Sequence, residues 1–322
     1  MDPELAGALS GMPYVGLSDP LKARAAMREL VTFLGAPATD ERVEVADLTI
    51  PGLEGGPAVR VRTYVPRDAT GPVPILLYFH GGGFVTGDLE NEHRRCLDFV
   101  VESDVAVVSV DYRLAPEHPF PAAFDDCYAA TVWAYGNAVE LGGDPMRIAV
   151  GGGSAGGGLA AAVALKARDE GGPPLAFQLL LYPVLDDRMD TPSMHAFTEP
   201  PLFNRTDVGH MWRHYLGPAS TETPVYAAPA RATDLSGLPP AYVLAVEADP
   251  LRDEDVAYAQ RLIQSGVRTE LHHLPGVYHG FDGVVGAAVA RRALRAQREA
   301  LRRALWIRPG VTLDTDPGQV IR

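Results

Sequence analysis

Cysteine is almost absent, with Cys96 and Cys127 the only two in 322 residues. That is too few for a disulfide framework, and the pair lacks metal-ligand spacing, so both are expected as buried, reduced thiols and no metal site is expected. Lysine is as scarce, occurring only at Lys22 and Lys166, so arginine carries nearly all the positive charge. Lys and Arg together number 28 against 41 Asp and Glu, a formal net charge of −13. This acidity excludes a nucleic-acid backbone or an anionic membrane surface as a natural partner, because both select basic patches. Neutral or cationic small molecules fit better. No run reaches the roughly 18 apolar residues of a membrane-spanning helix. The start Met1-Asp2-Pro3-Glu4 lacks the basic-then-apolar order of a signal peptide, and a cytoplasmic location is expected. Internal repeats and low-complexity tracts are also missing.

What is present is an ordinary globular composition, 47% hydrophobic and 21% charged, able to bury a sizeable core. From about residue 42, apolar β-rich runs alternate with helical patterns. Strands are expected at Val43–Thr49, Ala58–Val65, Pro74–Phe79, Val105–Val110, Arg147–Val150, Phe177–Tyr182, Ala241–Val246 and Val267–Leu274. Strands alternating with helices build a mostly parallel sheet covered on both faces, here eight-stranded.

Two segments break the alternation. Residues 1–40 hold one amphipathic helix, with Met27, Leu30, Val31 and Leu34 on one face at i, i+3, i+4 and i+7. Residues 186–236 hold scattered prolines with Met194, Phe197, Phe203, Met211, Trp212 and Tyr215. Both read as a helical cap over a core made of residues 41–185 and 237–322. The alternative is that these side chains only pack against one another. Phe84, Phe203, Met211, Trp212 and Tyr215 are the expected pocket lining. Residues 307–322, with Pro309, Gly310, Pro317 and Gly318, read as a tail or edge element.

The stretch Arg147-Ile-Ala-Val-Gly-Gly-Gly-Ser154-Ala-Gly-Gly-Gly is a buried strand, a tight turn and a helix start. A Gly-x-Ser-x-Gly elbow strains the serine backbone, and Gly152 and Gly156 leave room for strand and helix to approach closely. The helix N-terminus behind Ser154 favours developing negative charge. Gly151, Gly153 and Gly156 also match a dinucleotide fingerprint, but such a fingerprint follows the first strand of its unit, whereas this one follows the fifth.

His80-Gly81-Gly82-Gly83-Phe84 directly follows an apolar strand. Three consecutive glycines expose backbone N–H groups, and donors already aimed at a developing oxyanion lower an acyl-transfer barrier by roughly 3 kcal/mol each. Gly82 and Gly83, with Ala155 after the nucleophile, are the expected donors.

A nucleophilic serine needs a base and the base an orienting acid. Tyr278-His279-Gly280-Phe281 follows the last expected strand, which makes His279 the candidate base. His272 and His273 lie within that strand, one facing in and one out. His80 is expected to brace the glycine loop. The acid should lie just past Ala241–Val246, within Asp249-Pro-Leu-Arg-Asp253-Glu254-Asp255. Pro250 suits a first helical turn, which favours Asp249. Asp253, Glu254 and Asp255 then fall where a helix dipole favours acids without a catalytic role.

Taken together, His80-Gly-Gly-Gly-Phe84, Asp111-Tyr-Arg-Leu-Ala-Pro116, Gly152-Gly-Ser-Ala-Gly-Gly157, Asp249-Pro-Leu-Arg-Asp253 and Tyr278-His-Gly-Phe281 resemble the hormone-sensitive-lipase family of α/β hydrolases, in its order, along almost the whole chain. The resemblance implies an α/β-hydrolase fold with a helical cap, and a serine carboxylesterase working without metal or cofactor on short-chain acyl esters. It also implies a triad of Ser154, Asp249 and His279, oxyanion donors at Gly82, Gly83 and Ala155, and a homodimer formed through the edge Val267–Leu274. Gly153 departs from the family, which commonly has Asp there. The same triad chemistry also permits amide or lactone substrates. Receptor members of the family lack the catalytic histidine, whereas this chain has His279.

Overall fold

Eight strands form where the apolar runs fall: β1 Val43–Ile50, β2 Val59–Pro66, β3 Val73–Phe79, β4 Ala106–Asp111, β5 Gly143–Gly153, β6 Leu175–Leu181, β7 Ala241–Ala248 and β8 Thr269–Tyr278. The computed structural model describes residues 1–35, 39–199, 203–218 and 222–306. The segment 307–322, expected as a tail or edge element, lies outside them. The strands make one sheet in the order β1-β2-β4-β3-β5-β6-β7-β8. The β1/β2 and β2/β4 pairs are antiparallel, and every other pair is parallel.

Side chains alternate across each strand, so β3 sends Ile75, Leu77 and Phe79 into one apolar layer and Leu76 and Tyr78 into the other. Helices α4 Ala122–Gly136, α5 Ala155–Asp169 and α8 Arg252–Gln264 close the first layer; α3 His93–Ser103 and α9 Ala288–Trp306 close the second. Every residue of β3 is buried, so trimming Leu77 to Ala would cost roughly 2–5 kcal/mol. Cys127 lies in the first layer and Cys96 in the second. Both are free and buried, with the sheet between them.

At the N-terminus, α1 Pro3–Leu9 and α2 Pro20–Leu34 start at Asp2 and Asp19, whose carboxylates accept from first-turn N–H groups, each with proline at the helix start. In the insertion after β6, α6 Pro192–Ala196 and α7 Arg205–Leu216 are capped by Thr191 and Asn204. The two odd segments meet at Asp207. Its buried carboxylate accepts from Tyr14 Oη at 2.6 Å, the Leu17 N–H at 3.1 Å and Asn204 Nδ2 at 2.7 Å. Burial, reinforced by this bond, pushes the Tyr14 phenol up to about 12.

Because β3, β5, β6, β7 and β8 run parallel, their carboxyl ends share one edge of the sheet. Loops at that edge carry His80, Ser154, Tyr182, Asp249 and His279. Open α/β sheets place binding crevices at such an edge.

Candidate active site

Ser154 sits between β5 and α5 with φ 58° and ψ −120°, a conformation a non-glycine residue holds only when its surroundings over-determine it. Here they do. The Ser154 N–H donates to Leu181 O at 2.9 Å, and Ser154 O accepts from the N–H groups of Val184 and Gly158, both at 3.0 Å. A Cβ on Gly152 would overlap the Gly156 backbone, and one on Gly156 the Phe79 carbonyl.

From this turn a hydrogen-bonded chain runs through three elements. Ser154 Oγ lies 2.8 Å from His279 Nε2, and His279 Nδ1 lies 2.6 Å from Asp249 Oδ2. Asp249 is fully buried, and its Oδ1 accepts the Leu251 N–H at 3.0 Å. His279 follows β8, and Gly280, at φ 75°, turns the chain away from it. Phe203 and Tyr182 flank the imidazole, with ring centroids 4.7 and 4.8 Å away.

Gly82 and Gly83 line a cavity of about 260 Å³ together with Ser154 and His279. Their φ values are 116° and 61°, and a Cβ on Gly82 would overlap the Thr86 carbonyl. Gly82 O accepts from Val85 N and Thr86 N, which folds the loop back on itself. Among the described residues, no backbone hydrogen bond outside the helices and strands is donated by Gly82, Gly83 or Ala155. His80 is buried, lies 2.7 Å through Nδ1 from Gly81 O, and stacks on Tyr112 at 4.0 Å. Burial lowers its imidazole to about 4, so it remains neutral and supports the loop as a packed ring.

A family model described as the α/β hydrolase fold matches residues 76–283. The chain belongs to the α/β-hydrolase family. Within it, the chain is 39% identical to Esterase LipI of Mycobacterium tuberculosis over 90% of each protein. It is 41% identical to Carboxylesterase NlhH of the same organism, over 88% of this chain and 89% of that one. Among solved structures, Bacterial Heroin Esterase superimposes with a TM-score of 0.91 at 48% identity, covering 95% of this chain and 98% of that one. These likenesses place it among the carboxylic-ester hydrolases of the hormone-sensitive-lipase-like branch.

The cavity of this α/β hydrolase has walls other than those expected. Of the five expected lining residues only Phe203 reaches it. Phe84 stacks on Tyr215 at 3.7 Å and tilts against Trp212 at 6.2 Å. Met211 is buried beneath Gly83. Phe84, Met211, Trp212 and Tyr215 therefore form the packed floor on which the glycine loop rests. The apolar wall comes instead from the N-terminal segment, with Met12, Val15, Leu17, Met27, Leu30 and Leu34.

The lining also includes a polar set that was not legible in the sequence. Glu92, Arg95, Asp282, Tyr182 and Tyr278 make it up. Asp282 is fully buried, which by itself would raise its carboxyl, but Arg95 and hydrogen bonds from Tyr182 and Gln297 hold it below the ordinary range. Asp253, Glu254 and Asp255 fall in the first turn of α8, as expected, and two of them are buried. Glu254 is buried and accepts from the N–H groups of Leu185 and Asp186 at 2.8 and 3.1 Å. Asp255 is buried with no partner on either oxygen among the described residues. The two strand histidines follow the alternation: His272 is partly covered and bonded to Glu270, and His273 is exposed.

Proposed function

We propose that this chain is a serine carboxylesterase for short acyl esters, using Ser154 as nucleophile, His279 as base and Asp249 as orienting acid. The observation that carries this reading is the continuous relay of 2.8 and 2.6 Å from Ser154 through His279 to buried Asp249, opening into a cavity shared with Gly82 and Gly83. As Ser154 Oγ bonds to the ester carbonyl carbon, His279 Nε2 takes its proton, and Asp249 stabilises the imidazolium and fixes its tautomer. The N–H groups of Gly82, Gly83 and Ala155 receive the oxyanion. Collapse of the tetrahedral intermediate breaks the C–O bond to the alcohol, which leaves with the proton from His279. Water, deprotonated by the same histidine, then releases the acid from the acyl-enzyme.

The N-terminal segment and the insertion around α7 act as a cap, since Leu30, Val31 and Leu34 of α2 and Phe203 face the cavity. A short acyl group suits the modest volume. No helix of the described residues is long and apolar enough to cross a membrane.

The test is hydrolysis of p-nitrophenyl butyrate by the wild type beside folded Ser154→Ala, with diisopropyl fluorophosphate labelling of both. Turnover and labelling that vanish in the variant support the reading. A folded wild type that labels but turns over only amides or lactones moves the activity to those substrates. One that neither labels nor turns over is a binding protein of the same fold.

A further inference from the structure

The polar set in the cavity lining holds more charge than binding a small ester requires. Arg95 projects from α3 with its side chain only 12% exposed. Its Nε donates to Glu92 Oε2 at 2.9 Å, and its Nη1 donates to both Asp282 Oδ2 and Gln297 Oε1 at 3.0 Å. Asp282 in turn accepts from Tyr182 Oη at 2.6 Å and Gln297 Nε2 at 3.0 Å. Three side chains, Glu92, Asp282 and Gln297, thus bond one guanidinium, and Tyr182 joins the network through Asp282.

Two arms lead from Arg95 to the reacting groups. In the first, Glu92 lines the cavity together with Gly81, and Gly81 lies against Ser154, its would-be Cβ 3.6 Å from Ser154 Cβ. Gly82 and Gly83 are the next two residues. In the second, Asp282 lies three residues beyond His279 and fixes the hydroxyl of Tyr182, whose ring flanks the imidazole. Tyr182 itself is held at φ 37°, with its N–H on Leu244 O at 2.7 Å. A buried ion cluster is poor value as a source of stability, since apolar packing of the same volume does as well or better. Fully satisfied, it does fix geometry, because each member restricts the others.

We infer that Arg95, through Glu92 and Asp282, is a positioning residue that locks the glycine loop and the His279 loop in mutual register, with Tyr182 as the strut against the imidazole. This rests on the esterase reading above. It assigns the network to the chemical step and gives it no part in gripping the substrate.

The experiment is steady-state kinetics of Arg95→Lys and Tyr182→Phe on p-nitrophenyl acetate, with Ser154→Ala as control and near-ultraviolet circular dichroism to verify folding. Lysine keeps the charge but not the fork that spans both acids. Phenylalanine removes only the hydroxyl and guards against an Arg95 variant that fails to fold. The expected result is a kcat lowered about 10- to 100-fold in both, of the size that sub-ångström to 1 Å misplacement produces, with KM within about threefold. Unchanged kcat in folded Tyr182→Phe, or a loss confined to KM, overturns the inference while leaving the esterase reading intact. A wild type no more active than Ser154→Ala overturns both.

Discussion

Gly153 and Tyr182 are fitted to each other: a Cβ on Gly153 would lie 3.5 Å from Tyr182 Cε2 and 3.6 Å from its hydroxyl. That hydroxyl is already committed to Asp282 at 2.6 Å. Relatives in the hormone-sensitive-lipase family commonly carry Asp at this position. Here position 153 has no carboxylate, and the acid that bonds Tyr182 is Asp282 of the His279 loop.

Gly153→Ala therefore makes ordinary contacts, and its stability should stay within about 1 kcal/mol of wild type. Gly153→Asp adds a second buried carboxylate beside Asp282 and should lose roughly 1–3 kcal/mol. Chemical denaturation of the two variants checks this. Equal stability of Gly153→Asp and wild type would mean that the Asp282 network yields more easily than its bonding suggests.

Asp249→Asn should fold normally but lose roughly three to four orders of magnitude in kcat, because an amide facing His279 Nδ1 favours the wrong tautomer. Stopped-time assays at high enzyme concentration measure the residue of activity. If more than a tenth remains, Asp249 serves only the Leu251 N–H it already caps.

Asp255 predicts a pH-dependent gain in stability. Burial, with Asp249 and Glu254 as neighbouring charges, raises its carboxyl well above the ordinary range. A carboxyl with a folded pKa above its unfolded value near 4 contributes full stability only below that unfolded value, and the contribution is lost as pH rises to the folded one. Asp255→Asn removes this slope. Its thermal midpoint should match wild type near pH 4 and exceed it progressively toward pH 8, by the equivalent of about 1 kcal/mol or more. A constant offset across that range would contradict the assignment.

Asp207→Ala should release the N-terminal segment, since it removes the acceptor of both Tyr14 and Leu17. The cost is about 1–3 kcal/mol. Limited proteolysis should cut within residues 1–35 faster than in wild type, and KM should rise more than kcat falls. Unaltered proteolysis would show that the remaining contacts, those of Arg24 with Glu117 and the carbonyls of Val85 and Ala115, of Asp2 with Gly276 and of His214 with Leu17, suffice to hold the segment.

The strands, the serine elbow and the glycine loop were legible because each is written locally. Alternating or continuous apolar runs mark β1 to β8, and Gly152, Gly156 and the triplet from Gly81 to Gly83 are marked by their local spacing, although the Phe79 carbonyl that forbids a Cβ on Gly152 and Gly156 comes from the neighbouring strand β3. His279 and Asp249 were legible by their places just after β8 and β7, at the shared edge of a parallel sheet. The cavity walls were decided by packing between distant segments. Phe84, Trp212 and Tyr215 have the composition of a pocket, yet they stack into a floor, while the stripe of α2 that could have covered any apolar surface lines the cavity. Glu254 and Asp255 read as first-turn acids of α8, but their burial was decided by the packing of the start of α8 against the loop after β6. Glu92, Arg95, Tyr182, Asp282 and Gln297 carry no shared motif. Only the folding of α3, β6, the His279 loop and α9 around one point brings their charges together, where low polarity makes each bond matter.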